Sequence, residues 1–190
     1  MGLAIIHSRA SVGVEAPAVT VEVHISNGMP GFSLVGLPET TVKESKDRVR
    51  SAIINSRFEF PAKRITVNLA PADLPKEGGR FDLPIALGIL VASEQLPESK
   101  VLSHEFIGEL ALSGELRTVK GVLPATLACD KANRALVVPH DNGEQAALVG
   151  QGEHKSAQTL LEVCGYLCGQ KTLDLNDVSE LRHQPHTTRD

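Results

Sequence analysis

One continuous stretch, residues 65–92, constrains the fold of this chain most, because it predicts a strand, a charged loop and a buried helix in direct succession. Residues 65–69 alternate and are rich in β-branched side chains, which favours a strand. Residues 70–81 combine proline, glycine and charge, which is typical of a loop. Residues 83–92 are apolar on every side, which predicts a helix buried in a core or in an assembly. Asp82 is the predicted N-cap of that helix.

The residues before this stretch predict a small antiparallel sheet and then a helix. Apolar and polar residues alternate over 19–25, which predicts a half-buried strand. Asn27 and Gly28 favour a hairpin turn, with residues 32–35 as the returning strand. Residues 38–55 predict a helix with one apolar face.

The second half of the chain alternates between strands and helices. We predict strands at residues 106–110, 112–119 and 135–138, and helices at residues 122–133, 143–149 and 156–167. This order indicates an α/β (α+β) fold with one mixed sheet. We expect a single domain over residues 1–170, followed by a polar linker or disordered tail over residues 171–190.

Composition narrows the class of protein. The chain has 190 residues and a net charge of −4, and it lacks the run of about 18 apolar residues that a membrane helix needs. The N-terminus has no basic segment before its apolar run, so no secretory signal is expected. The three cysteines, Cys129, Cys164 and Cys168, lack metal-ligand spacing and predict reduced thiols. We therefore expect a cytoplasmic protein without a membrane partner.

Motifs of the common catalytic sites are absent. The phosphate-binding pattern G-x-x-x-x-G-K-[ST] does not occur, so nucleotide hydrolysis by this chain is not expected. Neither H-E-x-x-H nor G-x-S-x-G occurs, so the sequence predicts no metal site and no catalytic serine. We expect no cofactor in this chain.

Basic residues form a possible stripe on the helix predicted at residues 38–55. Lys43, Lys46 and Arg50 lie on one flank, and Arg57 joins them if the helix continues. Such a stripe is usually a solvated charged flank. The alternative is a row of cations that follows a phosphate backbone.

Three blocks of sequence together resemble one family. They are residues 38–53, residues 65–86 and residues 106–124. These blocks are similar to the N-terminal domain of the ComM/YifB proteins, bacterial AAA+ ATPases that resemble magnesium chelatase, and the resemblance covers roughly residues 1–170. It implies a fold like the Lon protease domain, within the ribosomal S5 domain 2-like group.

The resemblance also implies a function for the whole protein. Members are ring-forming ATPases that promote DNA branch migration and help donor DNA to recombine in natural transformation. The ATPase module, which uses ATP and Mg²⁺, is expected to begin near residue 175 and is missing from this chain. The chain therefore resembles an isolated, non-catalytic N-terminal domain or a truncated product.

A Lon-like fold does not imply proteolysis here. Aligned on the serine turn of Lon proteases, the chain has Arg80 where the nucleophilic serine stands. Leu123 stands where the lysine is expected. A serine–lysine dyad needs both the hydroxyl and the amine, so we expect no peptidase activity.

Two functional hypotheses remain open at the level of sequence. In the first, the domain contacts single-stranded or branched DNA; the proposed cations are Lys43, Lys46, Arg50, Arg57, Lys76 and Arg80. Six phosphate contacts predict a log–log salt slope of about −4 to −5. In the second, the domain makes no DNA contact, and the apolar helix with its preceding loop packs between subunits of a ring. The proposed interface residues are Lys76, Arg80, Glu109 and Glu115.

Overall fold

A computed structural model describes residues 2–76 and 78–175. The strands are β1 (Leu3–Arg9), β2 (Ala18–Ser26), β3 (Gly31–Val35), β4 (Arg64–Ala70), β5 (His104–Phe106), β6 (Glu109–Leu110), β7 (Leu116–Arg117), β8 (Ala135–Pro139) and β9 (Lys155–Ala157). The helices are α1 (Glu39–Asn55), α2 (Asp82–Ala92), α3 (Val122–Lys131), α4 (Gly143–Val149) and α5 (Leu160–Leu167). Short 3₁₀ turns cover Val101–Ser103 and His140–Asn142.

Seven strands form one mixed sheet in the order β3-β4-β2-β1-β5-β8-β9, and β6 pairs with β7 in a separate two-stranded sheet. In the large sheet, β2 pairs antiparallel with both β1 and β4. The other neighbours pair parallel. The predicted α/β fold with a mixed sheet is confirmed.

The predicted hairpin between β2 and β3 is wrong. β4 lies between these strands, pairing antiparallel with β2 and parallel with β3. The ladder between β2 and β4 joins seven residue pairs, whereas β3 offers only five residues. The longer ladder satisfies more backbone donors and acceptors, so the distant strand displaces the adjacent one.

Helix α2 lies inside the chain's own core. All of its residues are buried, and it packs against β1, β2 and α1. Gly88 allows the helix to approach the sheet, because a Cβ atom there would stand 2.5 Å from Cγ2 of Val23. Of the two predicted locations for this helix, a core or an assembly, the structure confirms the core. The helix cannot also form an interface between subunits.

The C-terminal third has the predicted elements, except that one predicted helix is divided into a strand and a helix. The predicted helix at residues 156–167 is strand β9 followed by α5, and the side chain of Thr159 caps α5 by accepting from the Glu162 amide. Within the predicted tail, Leu173 is buried in the core and the Asp174 carbonyl accepts from the Ser156 amide and hydroxyl. Residues 176–190 of that tail lie outside the described residues.

The three cysteines are free in the structure. Cys129 and Cys164 are buried, and Cys168 is exposed. Burial raises the pKa of both buried thiols, which disfavours the reactive thiolate. The predicted reduced core thiols therefore correspond to Cys129 and Cys164 only.

Candidate functional site

Three basic residues form a row along helix α1, hereafter the α1 basic row: Lys43, Lys46 and Arg50. Their spacing of three and four residues places them on one helix face. Lys43 and Arg50 are exposed and Lys46 is half-buried. Within residues 2–76 and 78–175, none of the three forms an ion pair with a carboxylate.

Two aromatic rings support the α1 basic row. Phe32 on β3 and Phe60 after α1 pack with their ring centroids 5.5 Å apart. The Lys46 ammonium lies 5.8 Å from the Phe32 centroid, and the Arg50 guanidinium carbon lies 4.9 Å from the Phe60 centroid. The rings hold these cations at the surface by cation–π attraction, so less side-chain entropy remains to be lost when an anion binds.

Acidic residues flank the same row. Glu39 and Asp47 lie four residues before and four residues after Lys43, and both are exposed. Side chains at this spacing are neighbours on a helix surface. The carboxylates therefore reduce the local positive potential and limit how strongly the row can attract phosphate.

Arg57 does not belong to the α1 basic row, which corrects the sequence prediction. The helix ends at Asn55, and the Ser56 amide closes it by donating to the Ala52 and Ile53 carbonyls. Arg57 follows with φ 70°, in the left-handed region that commonly ends a helix. Its exposed side chain is displaced from the helix register.

Asp82 is not the N-cap of α2, which also corrects the prediction. The helix begins at Asp82 itself, after Phe81, and lacks a side-chain cap. The first two helix amides are satisfied by the chain: Asp82 N donates to the Gly79 carbonyl and Leu83 N to the Gly108 carbonyl. The next residue, Pro84, has no N–H to offer. This terminus therefore has few free donors for an anion.

The Asp82 carboxylate instead joins two helices and a strand. It accepts from Arg48 Nε at 2.7 Å, from Ser45 Oγ at 2.7 Å and from the Leu110 amide at 3.1 Å. Burial raises the pKa of Asp82, and the bonds from Arg48 and Ser45 oppose that rise. The arrangement holds α1 against α2 through a buried ion pair.

Lys76 and Arg80 are buried, contrary to their predicted exposure to phosphate or to a neighbouring subunit. Lys76 Nζ donates to the Pro71 and Leu74 carbonyls of its own loop. Arg80 Nε donates to the Arg9 carbonyl and Nη1 to the Lys120 carbonyl. Both cations fold back because backbone carbonyls lie within reach and supply acceptors.

The two predicted interface carboxylates lie in different surroundings. Glu109 is half-buried, and its Oε2 lies 4.0 Å from Arg48 Nε. Glu115 is exposed next to the turn between β6 and β7. The structure therefore does not pair Arg80 with either of them within the chain.

A second buried ion cluster is not apparent from sequence. Glu105 on β5 is fully buried and accepts from Arg9 Nε at 2.7 Å and from Arg134 Nη1 at 2.9 Å. Burial alone raises the pKa of Glu105, but the bonds from Arg9 and Arg134 outweigh burial and lower it. Its partners lie 96 and 29 residues away in sequence, so no local pattern points to the cluster.

Residues 2–76 and 78–175 form neither a metal-binding cluster nor a membrane-spanning helix. No group of three or more histidine, cysteine, aspartate or glutamate side chains in these ranges is arranged to hold a metal ion. None of the helices in these ranges combines the length and the apolar character of a membrane span.

Comparisons with known proteins place the chain in a family. The family described as subunit ChlI of Mg-chelatase matches residues 21–142. The chain is 62% identical over 175 residues to competence protein ComM of Haemophilus influenzae, covering 92% of this chain and 34% of that protein. It is 55% identical over 174 residues to protein YifB of Escherichia coli, with 92% and 34% covered. The chain thus spans about a third of the length of these relatives.

Proposed function

The chain belongs to the family of subunit ChlI of Mg-chelatase, and from that premise we propose that it is the non-catalytic N-terminal domain of a ComM-type AAA+ ATPase and contacts DNA through the α1 basic row. The proposal rests on the high identity to competence protein ComM over most of the chain. On this proposal, ATP and Mg²⁺ act only in an ATPase module outside this chain.

The proposal assigns the whole protein a role on DNA. On this proposal, the whole protein is a cytoplasmic, ring-forming ATPase that drives branch migration and helps transforming DNA to recombine. Within that assembly, the present domain supplies backbone contacts and no chemistry. A serine–lysine dyad is not available at Arg80 and Leu123, so peptidase activity forms no part of the proposal.

We infer DNA contact from the basic side chains of the α1 basic row, which have no acidic partners among the described residues. Lys43, Lys46 and Arg50 share one face and, among the described residues, no carboxylate pairs with them. Unpaired surface cations release the counterions of a phosphate backbone when they bind it, which makes such binding dependent on salt but not on sequence. Two of the three are already positioned by Phe32 and Phe60.

The competing proposal is a ring-interface domain without DNA contact. Glu115 is exposed, and Leu112 nearby leaves 56% of its surface in solvent. An apolar side chain beside a carboxylate on one turn is suited to a heterologous contact with a neighbouring subunit. The turn lies at the C-terminal end of α1, where Asn55 donates to the Leu112 carbonyl.

Fluorescence anisotropy with labelled single-stranded and four-way-branched DNA, measured over a salt series, tests DNA contact. Three row cations predict a log–log slope of about −2 to −3. The double variant Lys43→Ala/Arg50→Ala is expected to reduce that slope by about 1.5 to 2. The matched control, Arg117→Ala/Lys131→Ala, removes two exposed charges elsewhere and is expected to leave it unchanged.

Two results would decide against DNA contact in this domain. The first is no binding by the wild-type chain at low salt. The second is an equal loss in both double variants, because that would reflect net charge rather than a specific surface. Either result favours the ring-interface proposal, which sedimentation of the full-length protein with Glu115→Lys then tests.

A further inference from the structure

The guanidinium of Arg80 has a hydrogen-bonding group that the fold leaves unused. Arg80 is only 6% exposed. Its Nε and Nη1 each donate to a backbone carbonyl, whereas its Nη2 is buried and has no partner among the described residues. Buried polar groups are nearly always hydrogen-bonded, so an exception needs a physical explanation, of which a bound ion is one.

A cavity adjoins this group. It has a volume of about 430 Å³, and its walls come from four segments of the chain. They are Ser11, the loop from Gly78 to Arg80, Glu109 and the segment from Thr118 to Lys120. Lys120 and Thr118 are exposed at the surface, while Arg80 forms the buried part. The cavity is thus lined by polar residues, and the unsatisfied Nη2 belongs to one of them, although that atom is itself covered from solvent.

The charges around the cavity favour an anion of low charge. Two cationic side chains, Arg80 and Lys120, and one carboxylate, Glu109, line it, so the lining carries a net charge of about +1. Arg48 lies 4.0 Å from Glu109, but its closer partner is the buried Asp82 carboxylate. Burial without a counter-ion lowers the pKa of Arg80 to about 10. A nearby anion stabilises the charged form of the guanidinium, so binding restores this pKa.

We propose that the cavity between the Gly78–Arg80 loop and the Thr118–Lys120 segment binds a carboxylate, with Arg80 Nη2 as the buried donor and Lys120 as the cation at its mouth. A carboxylate carries the single negative charge that the cavity balances. A phosphate monoester carries nearly two charges and would face Glu109. Ser11 and Thr118 supply hydroxyl donors for the second carboxylate oxygen.

Access to Nη2 depends on the side of the cavity formed by Gly78 and Gly79. Gly78 has φ 74° and open space around the position that a Cβ would occupy, whereas Gly79 packs against the side chains of Glu109 and Arg48. Only the Gly78 end of this loop therefore lacks side-chain packing. Because Nη2 is covered in the structure, a carboxylate reaches it only when this side of the cavity shifts. The carboxylate could belong to a small molecule or to the acidic side chain or C-terminus of a polypeptide.

Nuclear magnetic resonance of the chain, titrated with sodium acetate against sodium chloride at equal ionic strength, tests the site. We expect saturable shifts of the Gly78, Gly79 and Lys120 amides with acetate and none with chloride. Inorganic phosphate is expected to bind at least tenfold more weakly. A peptide with a free C-terminal carboxylate, its amidated form and a glutamate-containing peptide distinguish the possible sources.

Two variants keep the test independent of folding defects. Lys120→Gln changes an exposed residue and is expected to weaken acetate binding several-fold with the fold intact. Arg80→Gln is expected to abolish it. Equal responses to acetate and chloride in the wild type, or no effect of Lys120→Gln, would overturn the proposal. The DNA measurements on the α1 basic row do not involve this cavity, so the two proposals fail separately.

Discussion

Arg48 Nε donates to Asp82 Oδ2 across 2.7 Å and so joins the partly exposed helix α1 to the first turn of the buried helix α2. The carboxylate is almost fully buried, while the arginine keeps some contact with solvent. The same carboxylate holds the Leu110 amide of β6. One aspartate therefore fixes the positions of the α1 basic row, the start of the core helix and the wall of the Arg80 cavity.

Replacing Arg48 is expected to destabilise the chain strongly. Arg48→Met leaves the buried Asp82 carboxylate without its cation, and the loss from breaking a buried pair is about 3 kcal/mol or more. Urea unfolding followed by circular dichroism measures it. The control is Glu44→Gln, which removes an exposed partner 3.7 Å from the same arginine and should cost less than about 0.5 kcal/mol. Equal effects of the two variants would contradict the assigned role of Asp82.

The stability of the chain should fall in acid because of Glu105. Its pKa in the folded chain lies below the ordinary 4.5, since the bonds from Arg9 and Arg134 outweigh burial. The resulting stabilisation is complete above the unfolded-state value and is lost as the pH falls through the folded-state value. Glu105→Gln should cost about 3 kcal/mol at neutral pH and progressively less in acid. A cost that does not change between neutral and acid urea titrations would count against this account.

Gly88 is expected to resist substitution although it lies within a helix. Alanine is the better helix former by about 1 kcal/mol, but its Cβ would lie 2.5 Å from Cγ2 of Val23. Overpacking of a close-packed core costs about 1 to 3 kcal/mol, so Gly88→Ala should lower the unfolding free energy. The matched control is Gly165→Ala in α5, where the nearest side-chain atom would be 3.5 Å away. That control should be neutral or stabilising in the same urea titration.

In this chain, local sequence patterns predict where helices and strands lie better than they predict which residues and strands contact each other. The burial of α2 follows from ten consecutive residues without a charge, so it needs no knowledge of the rest of the fold. The role of Asp82 does not follow, because its cation lies 34 residues earlier in the chain. The predicted pairing of β3 with β2 is wrong for the same reason. Strand β4, which pairs with β2 instead, comes from a more distant part of the chain.

The candidate site shows the same division between local and distant information. The helical spacing of Lys43, Lys46 and Arg50 is readable from sequence, whereas the support from Phe32 and Phe60 depends on tertiary packing. The burial of Arg80 was equally invisible, because charged residues in a glycine-containing loop are usually exposed. Its acceptors, the Arg9 and Lys120 carbonyls, lie 71 and 40 residues away.

Removing one acidic neighbour of the α1 basic row should strengthen DNA binding if the row contacts phosphate. Asp47 lies four residues after Lys43 and is exposed, so Asp47→Asn raises the local positive potential with little change in size. We expect about a two- to fivefold increase in affinity at low salt, with the difference shrinking as salt screens the charges. Anisotropy with single-stranded DNA measures this. The control is Asp141→Asn, an exposed position remote in sequence from α1, which changes the net charge equally. An increase of the same size in both variants would show that net charge, rather than the α1 basic row, governs the binding.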